Sequence, residues 1–269
     1  MSLITFHRGR FAYFRRSTRH VDTETQAMAE SPSGATHIVA VDGPAAAGKT
    51  TTSLILAKRY GLSYLESGRA YRIMAYLALR AGVALDDEKA LITLFRARFG
   101  TPDTRSRLLA EGAADENSLR GPDVSRAVSA VSRLPVLRAE ITELIRRWAL
   151  DQDRSIVEGR DIGTAVFPTA PVKFYLTADP EVRALRRVSG EPGSTYQDVL
   201  ADITRRDHAD TTRTASPLLP ANDAIIIDTS RLDVRQVVDR MAENVGHSLD
   251  HFAHSTSQPS DAEHLIFRQ

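Results

Sequence analysis

The sequence contains no cysteine, which excludes a disulfide framework, a thiolate metal site and a cysteine nucleophile. Lysine is scarce, since Lys49, Lys58, Lys89 and Lys173 are the only lysines beside many arginines. The formal net charge is +1, so the overall charge does not indicate nucleic-acid binding. No apolar run approaches the roughly 18 residues of a membrane span, and the N-terminus lacks a signal-peptide core. We therefore expect a cytoplasmic protein that binds neither nucleic acid nor a membrane.

Short apolar runs alternate with helical patterns along most of the chain, which indicates an α/β fold. The predicted strands are His37–Asp42 and the runs LSYLES, SIVEG, VKFYLTA and AIIIDT. The predicted helices are Thr50–Tyr60, Arg69–Arg80, Val131–Leu150 with Pro135 in its first turn, Pro180–Val188, Tyr196–Asp207 and Val234–Val245. Apolar, β-branched strands that alternate with helices predict a parallel sheet covered on both faces, a three-layer sandwich.

Three segments fall outside this pattern. Residues 83–130 hold short alternating pieces such as ARFGT and SRLLAEG, separated by turn residues, and predict a small insert with weak strands. Residues 1–36 are expected to form a flexible extension, and residues 246–269 a flexible, polar tail, so the main domain spans 37–245. His247, His251 and His254 would share a face if the tail were helical, but a frayed tail is favoured over a metal site.

The stretch GPAAAGKTT follows the first predicted strand and precedes the first predicted helix. It completes the pattern G-x-x-x-x-G-K-[ST], and this strand-to-helix context is the one that a phosphate-binding loop requires. Backbone N–H groups of such a loop point at phosphate oxygens, and the helix N-terminus adds partial positive charge. Lys49 is expected to reach the β- and γ-phosphates of ATP, and the Thr50 hydroxyl to bind Mg²⁺. The predicted ATP-binding residues are Gly43, Pro44, Ala45, Ala46, Ala47, Gly48, Lys49, Thr50 and Thr51.

The loop does not identify the acceptor of the phosphate. Transfer to water would make the chain a hydrolase or a nucleotide-sensing switch, and Glu158 at the end of SIVEG keeps a metal-binding acid available for it. Transfer to a small phosphorylated acceptor would need a second basic pocket. The runs SGRAYR, EGRDIGT, RALRR and RRDHADTTR place arginines beside acids at predicted strand ends and on helix faces. These clusters favour a second phosphate site over a switch surface.

At these runs the sequence resembles the bacterial cytidylate kinase family of P-loop nucleoside monophosphate kinases. The similar features are VDGPAAAGKTT, the SGxxYR run, EGRDIGT with VFPTAPVKFYL behind it, and RRDxxDxxR followed by SPL. They occur in the family order and cover about 37–245. The resemblance implies a core parallel sheet, a monophosphate-binding insert at about 83–130 and a mobile LID at about 183–197. It also implies transfer of the γ-phosphate of ATP, with Mg²⁺, to CMP or dCMP.

The resemblance further implies a role for each matched residue. Ser67, Arg72, Arg160 and Arg213 should hold the acceptor phosphate. Ser129, Arg138 and Asp161 should face the cytosine, while Arg206 and Asp210 should lie near the sugar. Arg183, Arg186 and Arg187 are the candidate LID arginines that close over the transferred phosphoryl group.

The chain departs from the family pattern in its short LID segment VSGEPGSTYQ, its loosely matching insert and both tails. Which LID arginine reaches the phosphates therefore stays open. Another acceptor such as UMP, and a hydrolase or switch, remain the alternatives to a CMP kinase. We expect a monomer.

Overall fold

The computed structural model describes residues 36–100, 116–189 and 193–256 of the chain. Its centre is a five-stranded parallel sheet, as the sequence predicts. The strands are β1 (His37–Asp42), β2 (Ser63–Glu66), β3 (Arg154–Glu158), β4 (Val172–Thr177) and β5 (Ile225–Asp228). Their order in the sheet is β2-β3-β1-β4-β5, so β1 is central. The register pairs Val41 with Glu158, and Asp42 with Tyr175, which aligns the carboxyl ends of the inner strands at one edge.

Helices cover both faces of this sheet. They are α1 (Lys49–Tyr60), α2 (Ser67–Ala81), α3 (Glu88–Phe99), α4 (Glu116–Arg120), α5 (Pro122–Val131), α6 (Pro135–Leu150), α7 (Pro180–Val188), α8 (Tyr196–Thr212) and α9 (Val234–Thr256). A π-helical turn, Ile162–Val166, follows β3. Pro135 begins α6, which confirms its predicted place in the first turn, although Ser132–Leu134 separate α6 from α5.

Alternate residues of the strands supply two separate cores. Val39 and Val41 pack with α1 and α9 on one face, whereas Ala40 and Val157 pack with α2, α3, α5 and α6 on the other. Burial on both faces explains why the strands read as continuous apolar runs rather than as alternating ones. The predicted three-layer α/β sandwich is confirmed.

The predicted weak strands of the insert are wrong wherever the structure describes it. Between residues 83 and 100 and from 116 to 130 the chain is helical or in turns, and ARFGT begins inside the last turn of α3. Leu91, Phe95 and Phe99 are buried at four-residue steps, the spacing of one helix face. The run SRLLAEG lies outside the described residues.

The predicted start of the tail at residue 246 is also wrong. α9 continues to Thr256, eleven residues beyond the predicted end of the helix at Val245. Met241, Val245 and Leu249 are buried at four-residue steps, so the helical pattern extends into the polar segment. The ring Nε2 of His37 lies 2.8 Å from Ser248 Oγ, and Phe252 packs edge-on against the same ring. Residues 257–269 lie outside the described part of the chain.

Within the described residues, no helix is both long and apolar enough to span a membrane. The candidate functional residues instead gather at the carboxyl edge of the sheet, around the loops that follow β1, β2 and β3.

Candidate phosphoryl-transfer site

The loop between β1 and α1 needs glycine at two positions for different reasons. At Gly43, a Cβ atom would lie 2.0 Å from the carbonyl oxygen of Leu176, and φ is +141°. Gly48 has φ of +97° at the N-terminus of α1, where no neighbouring atom is close and the backbone conformation alone favours glycine. The loop therefore packs closely against β4 and leads directly into the N-terminus of α1, as a phosphate-binding loop requires.

Lys49 is buried at the start of α1 and its ammonium group lies over this loop. Nζ donates hydrogen bonds to the carbonyl oxygens of Gly43 at 2.8 Å and Pro44 at 2.7 Å. Burial lowers the pKa of Lys49, with a further decrease from the nearby charge of Arg160, while Glu158 raises it. A cation held by carbonyl dipoles in a buried position is available to a polyphosphate, which would supply the missing negative charge.

The side chains of Thr50 and Glu158 meet beside the loop. Thr50 Oγ1 donates to Glu158 Oε1 at 2.6 Å, and the hydroxyl of Tyr64 donates to the same oxygen at 2.9 Å. The other oxygen, Oε2, is buried without a hydrogen-bond partner. Burial raises the pKa of Glu158, although Lys49 and the two hydroxyl donors oppose that increase. An orphaned carboxylate oxygen beside a threonine hydroxyl fits a hard cation such as Mg²⁺, which prefers oxygen ligands.

Protein ligands for a metal are few here. Among the described residues, no three His, Asp or Glu side chains converge in a way that could hold a metal ion. Mg²⁺ characteristically keeps several waters and is completed by substrate phosphates rather than by an all-protein cage. Thr50 and Glu158 therefore suit a magnesium ion that arrives with a nucleotide.

A cleft of about 790 Å³ extends from the loop toward the insert. Ala45 to Thr51 line one end of it, whereas Gly43 and Pro44 do not line it. All nine predicted acceptor residues line the other part of the cleft: Ser67, Arg72, Ser129, Arg138, Arg160, Asp161, Arg206, Asp210 and Arg213. The structure thus brings together residues that the sequence separates by almost 150 positions.

Ion pairs connect the arginines at the acceptor end of the cleft. Arg138 Nη2 lies 2.5 Å from Asp161 Oδ2, and Arg213 Nη2 lies 3.6 Å from Asp161 Oδ1. Asp210 contacts Arg160 at 3.1 Å and Arg213 at 3.7 Å. Two carboxylates therefore hold three guanidinium groups in fixed positions, and one positive charge of this set is left uncompensated by them.

The same part of the cleft holds further positive charge on partly buried side chains. Burial lowers the pKa of Arg72 to about 10, and neighbouring arginines contribute to the decrease while Glu66 opposes it. Burial also lowers the pKa of Arg206 and of Arg213. A guanidinium whose charged form is disfavoured by burial gains most from an anionic ligand, so this region suits a phosphate.

The three candidate LID arginines occupy different places on α7. Arg183 is buried outside the cleft lining, where it donates to the carbonyl oxygen of Ala178 at 2.8 Å and pairs with Asp207 at 2.6 Å. Arg186 lines the cleft and donates to the hydroxyl and the carbonyl of Thr229 at 2.9 and 2.7 Å.

Arg187 also lines the cleft and lies 2.7 Å from Asp202 of α8. Both arginines share one carboxylate oxygen, since Arg187 Nη1 and Arg206 Nε each contact Asp202 Oδ2, the latter at 2.9 Å. The cleft thus receives Arg186 and Arg187, while Arg183 braces α7 against α8.

Sequence reasoning missed two groups of cleft residues. Glu66, at the end of β2, pairs with Arg120 of the insert at 3.0 Å and lines the acceptor end. Beyond the phosphate-binding loop, a strip formed by Leu232, Val234 and Val237 lines the cleft next to Asp233. The strip belongs to no motif, and only its position after β5 indicates that it approaches the loop.

Comparison with known proteins gives consistent matches. The cytidylate kinase family model matches residues 39–247. A cytidylate kinase from Rhodococcus jostii (strain RHA1) is 43% identical over 211 residues, which cover 76% of this chain and 92% of that protein. One from Nocardia farcinica (strain IFM 10152) is 42% identical over 219 residues, covering 79% and 94%. The residues matched by the family model extend from β1 into α9 and include every cleft residue named above.

Proposed function

Because this chain belongs to the cytidylate kinase family, we propose that it transfers the γ-phosphate of ATP to CMP or dCMP, with Mg²⁺, giving ADP and CDP or dCDP. One observation carries the proposal beyond family membership. A single cleft has a phosphate-binding loop at one end and a set of partly buried, partly uncompensated arginines at the other. A donor phosphate and an acceptor phosphate can therefore be held in one continuous cleft.

No general base is needed for this reaction, because the attacking group is an already ionised phosphate. Catalysis then depends on alignment of the two phosphates and on stabilisation of charge on the transferred group. We assign the β- and γ-phosphates to Lys49, at the start of α1, which would exchange its contacts with Gly43 and Pro44 for the phosphate oxygens. Arg186 and Arg187 border the same space and are our candidates for neutralising the transferred phosphoryl group.

Magnesium is assigned to Thr50 and Glu158 on the chemistry of their oxygens. The orphaned Oε2 of Glu158 and the hydroxyl of Thr50 would hold the ion directly or through water. When bound, Mg²⁺ neutralises charge on the β- and γ-phosphates. Tyr64 keeps Glu158 in place by donating to its other oxygen.

The acceptor roles follow the distribution of charge in the cleft. We assign the acceptor phosphate to Ser67, Arg72, Arg160 and Arg213, the cytosine to Ser129, Arg138 and Asp161, and the sugar to Arg206 and Asp210. Asp161 is suited to the exocyclic amine of cytosine because a carboxylate accepts hydrogen bonds and the amine donates them. Its Oδ1 is the freer oxygen, since Oδ2 accepts from Arg138. We further propose that the protein acts in the cytoplasm and as a monomer.

An acceptor panel tests the proposed function. ADP formation from Mg·ATP is measured with CMP, dCMP, UMP and no acceptor, at equal concentrations. A kcat/KM that is highest for CMP and dCMP, with little ADP formed in the absence of acceptor, supports a CMP kinase. Preference for UMP would assign the same scaffold to another acceptor, and equal ADP formation without any acceptor would assign it to a hydrolase or switch.

A further inference from the structure

We propose that Asp42 is a positioning residue for the acceptor site: its carboxylate fixes the turn that carries Arg160 and Asp161. This inference rests on the proposed function, because it assigns a role within the proposed CMP pocket. Asp42 is the last residue of β1 and directly precedes the phosphate-binding loop. It is 3% exposed and does not line the cleft, so it acts on a ligand only through other residues.

Both oxygens of Asp42 accept hydrogen bonds from the turn after β3. Oδ1 accepts from the backbone N–H of Ile162 at 2.7 Å, and Oδ2 accepts from that of Gly163 at 2.7 Å. These two residues begin the π-helical turn, and the first N–H groups of a helical turn have no acceptor within the turn itself. Asp42 supplies both acceptors from a different strand, so β1 and the turn are joined by a two-point contact.

The residues on either side of Arg160 and Asp161 are anchored as well. The N–H of Gly159 donates to the carbonyl oxygen of Val41 at 2.9 Å, which ties the start of the segment to β1. At Gly159 a Cβ atom would lie 2.4 Å from Ser67 Oγ, so the backbone passes very close to another acceptor residue. Arg160 and Asp161 thus lie between two attachments to β1, one through the backbone and one through Asp42.

The two side chains of the anchored segment form ion pairs with two different helices that border the cleft. Arg160 pairs with Asp210 of α8, and Asp161 pairs with Arg138 of α6. A shift of the turn would therefore move the groups assigned to the acceptor phosphate and the base together. Displacement of a substrate-positioning group by about 1 Å can lower turnover by about 100-fold.

Burial disfavours the ionised form of a carboxylate at this position, and its hydrogen bonds to the turn offset part of that cost. Burial raises the pKa of Asp42 to about 6, and the nearby charge of Asp161 adds to the increase, while the two backbone N–H groups and Lys49 oppose it. The groups that face Asp42 are Asp161 of the turn, Lys49 of the loop and Tyr175 of β4. Only a carboxylate offers two acceptor oxygens to two consecutive N–H groups, whereas asparagine offers one acceptor and a donor.

The test is the Asp42→Asn substitution, with separate KM values for CMP and ATP. We expect KM for CMP to rise about 10-fold or more, while KM for ATP changes less than about 2-fold. Asp87→Asn is the matched control, because Asp87 also accepts a backbone N–H, from Ala90 at 2.9 Å, but is exposed at the start of α3. Equal increases in both KM values, or no increase in a folded variant, would overturn the proposal.

Hydrogen exchange gives a readout that does not depend on the acceptor or on the folding of the variant. In the unmodified protein the N–H groups of Ile162 and Gly163 should be protected at pH 7.5, and should lose protection relative to core β1 amides as pH falls below 6. Loss of protection reflects protonation of Asp42, which converts one acceptor oxygen into a donor. Unchanged relative protection between pH 7.5 and 5 would overturn the anchoring role, whereas failure of the proposed function would appear only in the acceptor panel.

Discussion

The guanidinium of Arg138 lies 2.5 Å from the carboxylate of Asp161, and both side chains are buried within the cleft. Arg138 also donates to the carbonyl oxygen of Ser132 at 3.0 Å and lies over the ring of Tyr71. The residue assigned to the cytosine amine is therefore the same residue that holds an arginine in place. Selectivity for the base and the position of Arg138 therefore both depend on the Asp161 carboxylate.

Asp161→Asn tests that coupling. Asparagine carries both an acceptor and a donor, so it can satisfy either cytosine or uracil, while aspartate meets the uracil carbonyl acceptor to acceptor. We expect the ratio of kcat/KM for CMP to that for UMP to fall in the variant. Asp210→Asn is the matched control, since this acid lies near the proposed sugar site and should leave the ratio unchanged. If both substrates lose the same factor in Asp161→Asn, the residue only shapes the pocket.

Lys49→Ala should reduce phosphoryl transfer by at least about 10²–10³-fold. The thermal melting temperature should change little, because burial disfavours the Lys49 charge while the carbonyl oxygens of Gly43 and Pro44 and the charge of Glu158 offset that cost. Lys58→Ala, an exposed position on the same helix, serves as the control for activity and melting. Near-normal turnover in a folded Lys49→Ala protein would remove the loop from the mechanism.

Substitution of Arg187, which lines the cleft, and of Arg183, which is buried outside the cleft lining, should affect different properties. Arg187→Ala should lower kcat by about 10³-fold with a smaller effect on KM for ATP, as expected for a group that stabilises the transferred phosphoryl. Arg183→Ala should chiefly lower stability, by about 1.5–3 kcal/mol, because it removes the charged hydrogen-bond partner of the partly exposed Asp207.

Arg205→Ala is the control for Arg187, since Arg205 contacts the same Asp202 but is exposed. A kinetic effect of Arg187→Ala as small as that of Arg205→Ala would remove Arg187 from catalysis and leave Arg186 as the remaining candidate.

Truncation after Val245 should lower the melting temperature by about 5–10 °C. The cut removes buried Leu249, whose burial contributes about 1.5–3 kcal/mol, together with the contact of Ser248 with His37. Truncation after Thr256 keeps all of α9 and should leave the melting temperature unchanged. Identical melting of the two truncated proteins would contradict the packing of the end of α9 on β1.

His37 predicts an acid-sensitive contribution to stability at the amino end of β1. Burial lowers the pKa of His37 below its usual 6.5, and the charge of Arg154 adds to the decrease. Above pH 6.5 the ring is neutral in both states, whereas below it the unfolded chain takes up a proton that the folded protein resists, so folding becomes less favourable. The difference in melting temperature between the unmodified protein and His37→Gln should therefore narrow from pH 7.5 to pH 5.5. A constant difference would show that the ring does not titrate in this way.

Local patterns in the sequence predict the sheet well, because each strand is a short, β-branched apolar run buried on both faces. They fail for the insert, where Gly100 follows α3, Gly121 and Pro122 divide α4 from α5, and the short pieces between such residues resemble strands. They also fail at the end of α9, where the buried stripe that includes Met241 and Val245 continues to Leu249 among polar residues. Polarity alone is thus a poor guide to where a helix ends.

Only part of the candidate site could be predicted from local patterns in the sequence. The phosphate-binding loop is readable from its motif, but the acceptor residues come from resemblance, since their partners are far apart in the chain. Thr50 and Glu158 are 108 positions apart, and no spacing rule predicts the hydrogen bond between them. Asp42 reads as an ordinary strand end, and only the fold reveals that it accepts from Ile162 and Gly163.

The most direct measurement follows the terminal phosphate of ATP. The protein is incubated with Mg·ATP labelled at the γ-phosphate and with excess CMP, and the products are separated. The account predicts that the label appears in CDP, in an amount equal to the ADP formed, with little inorganic phosphate. Label recovered mainly as inorganic phosphate, or no label in CDP while another monophosphate becomes labelled, would contradict it.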